Sequence, residues 1–355
     1  MFQNKMLEPK NILIVRTDRI GDLVLTLPLA GIIKKHFPKA KVSFLVREYT
    51  KDIASSNSKT DRVIVLKETD GKASLWDNVK LLRQYRFDSC MVVYPTFRIA
   101  LIMLLSGIPH RIGTGYRWYS FMFNHKTFEH RKNAEHHELE YNVNLLKHFG
   151  INEAVTRGNA DFNLHANPSD GQKIEQLLSE NGVNFKYPVI IVHPGSGGSA
   201  VDWPILRFQE LVQRLVRDLE CRVIITGSGK ENEICSHLAE GTRALNLAGK
   251  LSMKELIALI DRSDMLVANS TGPIHLAAAM KKDVVGFYPR ITACSPERWG
   301  PYTEKRMVFS PEINCTNCTR EQCEKLNCMD TISVDKVFEY IKSVLNRVHN
   351  GELHD

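Results

Sequence analysis

The chain has 355 residues, with 47 Lys and Arg against 40 Asp and Glu, 8 Cys and 13 His. This length corresponds to about two ordinary domains, and 43% hydrophobic with 25% charged residues excludes collagen-like, low-complexity and disordered chains. A net charge of +7 is too small for a dense nucleic-acid-binding face, but it suits a surface that meets anionic small molecules or lipid headgroups.

Short apolar runs alternate along the chain with segments of helical spacing. We predict strands at residues 11–15, 41–46, 62–66, 89–94, 189–192, 222–226, 265–268 and 284–288. Helices are predicted at residues 27–37, 76–85, 206–219, 253–260, 272–280 and 334–345. This alternation is typical of βαβ units and parallel sheets.

The strands form two series, separated by a polar stretch over residues 159–186, which predicts two doubly wound domains. The longest apolar run, residues 99–108, is about half of what a membrane span needs. The first apolar segment is soon interrupted by charged residues and has no small-residue cleavage site after it. We therefore expect a cytoplasmic protein with reduced cysteines.

An acidic motif, RTDRIGD at residues 16–22, directly follows the first predicted strand. Gly21 allows a tight turn, and Asp22 then stands at or near the start of a helix, where the dipole favours a carboxylate. Two roles fit Asp22. It either caps the helix, a common use of aspartate, or acts as a general base at the sheet edge where ligands of parallel sheets bind.

A glycine- and serine-rich loop, HPGSGGSAVDWP at residues 193–204, follows the first strand of the second series. Its backbone N–H groups suit a phosphate, and Gly195, Gly197 and Ala200 match the dinucleotide pattern G-x-G-x-x-A. We exclude a dinucleotide site because a Trp-Pro pair interrupts the place where its helix would begin. In addition, no acidic residue ends the next strand.

Two more motifs lie at predicted strand ends of the second series. GSGKE at residues 227–231 lacks the Walker pattern, and its Glu231 either holds ribose hydroxyls or belongs to a solvated helix start. In ANSTGPIHLAAA at residues 268–279, the N–H groups of Thr271 and Gly272 and the positive helix end form a seat suited to pyrophosphate. The alternative is an ordinary helix start in which His275 is structural.

Together these motifs resemble glycosyltransferase family 9, the ADP-heptose:lipopolysaccharide heptosyltransferases. The matching segments are NILIVRTDRIGDLVLTLP, RIGTGY, HHELEYNVNLLKHFGI, VIIVHPGSGGSAVDWP, RVIITGSGKENE, NLAGKLSMKELIALIDRSDMLVANSTGPIHLAAAM and CMDTIS. The resemblance spans nearly the whole chain and implies the GT-B fold, an α/β architecture of two Rossmann-like doubly wound domains facing a central cleft. We expect an N-terminal acceptor-binding domain at residues 1–170, a C-terminal nucleotide-sugar-binding domain at 171–332, and a terminal helix at 333–355 that crosses back to the first domain.

The resemblance also implies an inverting, metal-independent reaction without a cofactor, in which Asp22 is the general base. The donor-binding residues that it implies are Ser196, Gly197, Glu231, Ser270, Thr271, Gly272 and His275. Two positions depart from the family: Val201 stands where Lys is usual, and Ser270 where lipopolysaccharide-core enzymes commonly carry Asp. Candidates for the missing cation are Arg16, Arg19, Lys230 and Arg290.

The acceptor side is assigned to the first domain, where residues 110–137 are rich in cations. This stretch contains Arg111, Arg117, Lys126, Arg131 and Lys132 against Glu129 and Glu135. Such a surface attracts a phosphorylated glycolipid, and we predict Arg111 and Arg117 as acceptor-binding residues. The alternative is a solvated loop region without a ligand.

Four cysteines near the C-terminus, Cys315, Cys318, Cys323 and Cys328, have the spacing C-x₂-C-x₄-C-x₄-C. Thiolates suit zinc and iron, but structural zinc sites usually pair two short-spaced couples across a longer gap. Reduced thiols are the alternative, and we predict no metal site.

We therefore expect a glycosyltransferase that moves heptose from ADP-heptose to a lipopolysaccharide core or related glycan. Its partners are a nucleotide-sugar donor and a lipopolysaccharide or glycolipid acceptor, with no nucleic acid and with peripheral contact at the inner membrane surface. Two alternatives stay open: a protein O-heptosyltransferase of the same fold, and a nucleotide-sugar-binding protein that lacks transferase activity.

Overall fold

The protein is described by a computed structural model covering residues 7–313 and 318–349. Its contacts divide it into two compact units. The first unit comprises the described residues up to 131 together with 135–165, and the second comprises 132–134 and the described residues from 166 onward. Each unit has its own parallel sheet and its own hydrophobic core.

The first unit is built on a six-stranded parallel sheet. Its strands are β1 (Asn11–Val15), β2 (Lys41–Val46), β3 (Arg62–Val65), β4 (Glu68–Thr69), β5 (Lys72–Ala73), β6 (Ser89–Val92), β7 (His110–Thr114) and β8 (His125–Thr127). Its helices are α1 (Ile20–Val24), α2 (Pro28–His36), α3 (Lys51–Ser55), α4 (Leu75–Arg83), α5 (Phe97–Leu105) and α6 (Glu138–Asn144). The sheet order is β3-β2-β1-β6-β7-β8, and β4 and β5 form a separate antiparallel hairpin.

The second unit repeats this architecture. Its strands are β9 (Val189–His193), β10 (Arg222–Ile225), β11 (Leu245–Asn246), β12 (Met265–Asn269), β13 (Asp283–Phe287) and β14 (Arg306–Phe309), in the order β11-β10-β9-β12-β13-β14. Its helices are α7 (Pro168–Glu180), α8 (Ile205–Asp218), α9 (Asn232–Ala239), α10 (Met253–Arg262), α11 (Gly272–Ala279), α12 (Pro296–Trp299), α13 (Arg320–Lys325) and α14 (Val334–His349). The central strands β9 and β12 are buried along their whole length, as continuous apolar runs in a covered parallel sheet require.

All eight predicted strands form, with ends that differ by at most two residues. The polar interval over residues 159–186 is not a simple linker, because it contains α7. Buried Asp170, Ile174 and Leu178 give α7 a narrow inward face, and this helix packs against α10. The domain boundary predicted between 170 and 171 falls within α7.

The helix predicted at residues 27–37 forms as α2, but Asp22 does not stand at its start. The chain forms two helices here, α1 and α2, interrupted at residues 25–27. Pro28 begins α2 because proline lacks an N–H and is tolerated only in a helix's first turn. Asp22 therefore lies inside the short helix α1, directly after strand β1.

The C-terminal helix α14 packs within the second unit. Arg214 of α8 binds Asp335 at 2.5 Å and lies over the ring of Phe338 at 4.3 Å. The buried side chains Val337 and Ile341 join the hydrophobic core of that unit. The return of this helix to the first domain stays a prediction. No helix of the described residues combines the length and apolar character that crossing a bilayer demands.

Candidate active site

Asp22 is held by a buried arginine. Arg16, the residue after strand β1, is 2% exposed and directs its guanidinium to three carboxylates. Its Nη2 donates to Asp22, its Nε donates to Asp18 Oδ1 at 2.7 Å, and its Nη1 lies 3.4 Å from Glu138 Oε1. The side chains of Asp22 and Asp18 keep 14% and 12% of their surface exposed, so both carboxylates reach the surface of the unit.

Further hydrogen bonds connect Glu138 back to the backbone of Asp22 and hold the two acidic residues in place. Arg131 binds Glu138 at 2.6 Å and Asn142 Oδ1 at 3.0 Å, which ties α6 to the network. Asn142 donates to Thr26 Oγ1 at 3.3 Å, and that hydroxyl donates to the backbone oxygen of Asp22 at 2.7 Å. The carboxylate is therefore positioned by residues more than one hundred positions away in sequence.

Burial alone would lower the pKa of Arg16, but Asp18, Asp22 and Glu138 raise it, so the guanidinium stays charged. Burial raises the pKa of Asp18 to about 7; the charge of Asp22 adds to this rise, and Arg16 opposes it. A carboxyl group that titrates near neutrality thus lies on the same arginine as Asp22. From the sequence, Arg16 was only a candidate cation, and nothing predicted that Asp18 and Glu138 share this arginine with Asp22 or that Arg131 binds Glu138.

The helix-capping alternative for Asp22 is not what the structure shows. The residue that caps α1 is Arg19, and its side chain makes no capping hydrogen bond. Asp22 lies within the helix and its carboxylate faces Arg16 instead. The role of general base for Asp22 stays a prediction.

Arg111 and Arg117, the predicted acceptor residues, have different surroundings. Arg111 lies near the amino end of β7, where its guanidinium donates to the carbonyl oxygens of Met122 at 2.8 Å and Ile108 at 2.5 Å. The Arg111 side chain therefore holds together the segments on either side of β7. Arg117 is exposed in the segment after the carboxyl end of β7, the sheet edge that also carries Asp22. Of the two, Arg117 is better placed for an acceptor, and both assignments stay predictions.

In the second unit, the loop after β9 is anchored by a side chain that sequence reasoning missed. Asn269, fully buried at the end of β12, donates to Pro194 O at 2.6 Å and accepts from Trp203 N at 2.8 Å. Trp203 itself stacks on Phe287 with ring centroids 4.1 Å apart. Both ends of the loop are thus fixed, and α8 begins only after Pro204, as predicted.

The middle of this loop turns through glycines. Gly197 and Gly198 have φ angles of 57° and 75°, a backbone conformation that favours glycine. Ser196, next to them, is buried. The loop therefore has the tight backbone geometry that close approach to a phosphate requires.

Glu231 lies against this loop. Its Oε2 accepts hydrogen bonds from the backbone N–H of Ser228 at 2.7 Å and from the Ser228 hydroxyl at 2.8 Å. A Cβ on Gly195 would collide with the same carboxylate, so only glycine fits there. Glu231 thus holds its own turn and also touches the loop after β9, which brings together two of the predicted donor segments.

The third donor segment follows β12, the strand beside β9. Ser270, Thr271 and His275 are all buried, and Thr271 precedes α11 without a side-chain cap. The first turn of α11 directs backbone N–H groups towards the same carboxyl edge of the sheet that carries Ser196 and Glu231. Of the donor residues predicted, all seven therefore lie at one edge of the second sheet.

Burial lowers the pKa of His193, at the end of β9, to about 4, although Glu231 opposes this shift. His193 Nδ1 lies 2.9 Å from Thr226 Oγ1 at the end of β10. The neutral imidazole therefore joins two strand ends and supplies no charge for a phosphate at neutral pH.

The loop that carries Val201 receives a cation that sequence reasoning did not name. Arg320 of α13 donates to Gly198 O at 3.2 Å and Ala200 O at 3.3 Å, and its Nε binds Glu324 at 2.8 Å. Arg16 lies in the first unit and is engaged by three carboxylates. Arg320 is therefore the arginine that the structure brings onto this loop, by bracing its carbonyl groups.

The cysteine cluster is described in part, because Cys315 lies outside the described residues. Cys318, Cys323 and Cys328 are neighbours: burial, together with the other two thiols, raises the pKa of Cys323 to about 12. Within residues 7–313 and 318–349, no three His, Cys, Asp or Glu side chains are arranged to hold a metal ion.

The model of glycosyltransferase family 9 (heptosyltransferase) matches residues 75–329. The chain belongs to this family. The family 9 enzyme is 28% identical to a provisionally named glycosyltransferase of Haemophilus influenzae, over 85% of this chain and 89% of the relative. It is 24% identical to lipopolysaccharide heptosyltransferase 3 of Escherichia coli, over 81% of this chain and 85% of the relative.

The family 9 enzyme also superimposes on the structure of E. coli ADP-heptose LPS heptosyltransferase II with a TM-score of 0.78 and 20% identity, over 96% of this chain and 99% of that one. This likeness and the two parallel six-stranded sheets confirm the predicted GT-B fold. The family and the relatives support heptosyl transfer in lipopolysaccharide core synthesis.

Proposed function

We propose that the family 9 enzyme transfers heptose from ADP-heptose to a lipopolysaccharide core by an inverting, metal-independent reaction at the cytoplasmic face of the inner membrane. The observation that carries this proposal is the carboxylate of Asp22, which is partly exposed at the carboxyl edge of the first sheet and fixed by buried Arg16. The alternative role of Asp22 as a helix cap does not fit its position.

In the proposed reaction, Asp22 takes the proton from the acceptor hydroxyl. The oxygen then attacks the anomeric carbon of the heptose on the face opposite the diphosphate. ADP leaves, and the configuration at the anomeric carbon is inverted. Fixed N–H donors must meet the negative charge that grows on the diphosphate. The first turn of α11 at Thr271 and Gly272 and the loop at Ser196 and Gly197 supply them.

Glu231 is proposed to bind the ribose hydroxyls. Its Oε2 is already engaged by Ser228, so its other oxygen is the one that a ribose would meet. Ser270 and His275 complete the donor segment, and Arg117 is proposed to attract a phosphorylated acceptor. Arg320 holds the loop in the shape that directs its N–H groups to the phosphate.

The test measures ADP release from ADP-heptose with a truncated lipopolysaccharide acceptor. Asp22→Asn keeps the size of the side chain but removes the base, so turnover should fall by about 10²–10⁴-fold. Binding of ADP, followed by calorimetry, should remain unchanged. EDTA should leave the turnover of the unaltered protein intact.

The matched control is Asp77→Asn, because Asp77 is also an acidic residue in the first turn of a helix in the first unit. This variant should retain full turnover. Equal turnover of Asp22→Asn and Asp77→Asn would show that Asp22 is not the general base. An unaltered protein that binds ADP-heptose without transferring it would instead be a nucleotide-sugar-binding protein.

A further inference from the structure

The first unit carries several exposed aromatic side chains that have no role in the proposed transfer reaction. Trp118, Phe121 and Phe128 expose 74%, 66% and 62% of their surface. Three further aromatic residues in the same part of the chain, Tyr94, Phe97 and Tyr116, are also exposed. We call these six residues the aromatic surface. A group of large exposed apolar side chains marks an interaction site more often than a casual feature of a monomer.

The sheet brings five of these residues to one edge, and the sixth, Phe121, lies in the connection between β7 and β8. Tyr94 and Phe97 follow β6, Tyr116 and Trp118 follow β7, and Phe128 follows β8. The three strands are adjacent and parallel, so their carboxyl ends lie together. This is also the edge at which Asp22 follows β1, which places the aromatic surface on the side of the unit where an acceptor would arrive.

The loops that carry the rings are fixed to one another. The rings of Phe97 and Trp118 stack with centroids 4.9 Å apart, and Tyr116 meets Phe128 edge-on at 5.5 Å. The hydroxyl of Tyr119 donates to Pro95 O at 2.7 Å, which joins the segment after β7 to the segment after β6. The aromatic surface is thus preformed and needs little ordering to bind a partner.

Exposed cations occur in the same segment of the chain as these rings. Arg98, Arg117 and Lys126 are exposed in the same part of the chain, while Glu129 is the only acidic residue between positions 94 and 130. Neither Arg98 nor Arg117 forms an ion pair with a described residue. The surface therefore combines aromatic rings, which suit the boundary between headgroups and acyl chains, with positive charge that anionic lipids attract.

We propose that the aromatic surface docks the family 9 enzyme onto an anionic lipid bilayer. The proposal rests on the proposed function only in that a lipid-anchored acceptor is presented at such a bilayer. Trp118, Phe121 and Phe128 enter the headgroup boundary, and Arg98 and Lys126 meet the lipid phosphates. A second copy of the chain fits this surface poorly, because a two-fold contact through it would place the same cations against each other.

The test is sedimentation of the full-length protein with vesicles. Vesicles of phosphatidylethanolamine and phosphatidylglycerol should carry the protein down, and vesicles of phosphatidylcholine alone should not. A variant with Trp118→Ser, Phe121→Ser and Phe128→Ser should bind the anionic vesicles at least about tenfold more weakly, since it loses the apolar area that enters the bilayer. A variant with Arg98→Glu and Lys126→Glu should lose about as much through charge.

Matched controls separate docking from general damage. Phe185→Ser removes an exposed aromatic ring of the second unit, and Lys39→Glu with Lys41→Glu reverses two exposed charges at the amino edge of the first sheet. Both controls should bind the anionic vesicles like the unaltered protein. Thermal unfolding of every variant confirms that the changed surface residues leave the fold intact.

Three results would overturn the proposal: equal vesicle binding by the aromatic variant, no preference for anionic vesicles, or a concentration-dependent dimer that the aromatic variant abolishes. Turnover on a soluble, delipidated core oligosaccharide distinguishes this failure from failure of the proposed function. The aromatic variant should retain that turnover. An unaltered protein that binds vesicles but never releases ADP would contradict the transfer reaction and leave the docking surface standing.

Discussion

At the scale of single residues, the pairing of Asp18 and Asp22 on one arginine has a consequence for pH dependence. The pKa of Asp18 is about 7 in the folded protein, against an ordinary value of 3.8. Between these two pH values the folded state binds more protons than the unfolded state. The free energy of unfolding therefore contains a contribution from Asp18 that falls as the pH rises from about 4 to about 7.

Asp18→Asn should remove this contribution. The stability of the unaltered protein relative to the variant should then decrease by roughly 1 kcal/mol for each pH unit between pH 4 and pH 7, and stay constant above. Urea unfolding at several pH values measures the difference. A difference that does not change between pH 4 and pH 7 would contradict the raised pKa of Asp18.

The same network shows where sequence reasoning ends. Asp22 was found from its position after β1, because a strand and a following turn are local features of the chain. Glu138, which binds the same arginine as Asp22, lies 122 positions from Arg16, and the tertiary fold alone brings these two side chains together. The motif therefore contains both Asp22 and the arginine that binds it, but it gives no signal for Glu138, which the fold brings to the same arginine.

At the scale of elements, the buried strands were predictable because continuous apolar runs have few other uses in a soluble chain. Helix α7 was not predicted because its buried face is narrow and includes Asp170 and Gly171. Strand β8 was not predicted because it has only three residues, all of them polar. Elements at the margin of a sheet or with a thin apolar face are specified by their neighbours rather than by their own sequence.

The loop after β9 depends on one such neighbour, Asn269 of β12. Asn269→Ala would leave the Trp203 N–H and the Pro194 carbonyl without their partner, which should destabilise the second unit by about 2 kcal/mol or more. The loosened loop should also bind ADP more weakly. Urea unfolding and calorimetric titration with ADP measure the two effects.

Asn181→Ala is the matched control, because the Asn181 side chain is exposed and, within residues 7–313 and 318–349, binds only the Leu177 carbonyl at the end of α7. This variant should keep both stability and ADP affinity. A loss of stability in Asn269→Ala with unchanged ADP affinity would show that the loop holds its shape without Asn269, and would separate its packing role from donor binding.

At the scale of the whole molecule, the two units differ because the proposed donor-binding residues lie in only one of them. Each unit has its own sheet and core, and every predicted donor residue belongs to the second. A ligand that binds only the folded state stabilises the part it contacts by about 2.7 kcal/mol at a concentration one hundred times its Kd. Local opening reactions report this stabilisation separately for different parts of a chain.

Hydrogen exchange with and without ADP should therefore show slower exchange in β9, β10 and β12, and unchanged exchange in β1 and β2. AMP, which lacks the second phosphate, should protect the second unit less, because the N–H groups at Ser196, Gly197, Thr271 and Gly272 are proposed to bind a diphosphate. Equal protection of both sheets would mean that the units open as one. Protection confined to the first sheet would place the nucleotide on the wrong unit and contradict the assignment of the donor residues.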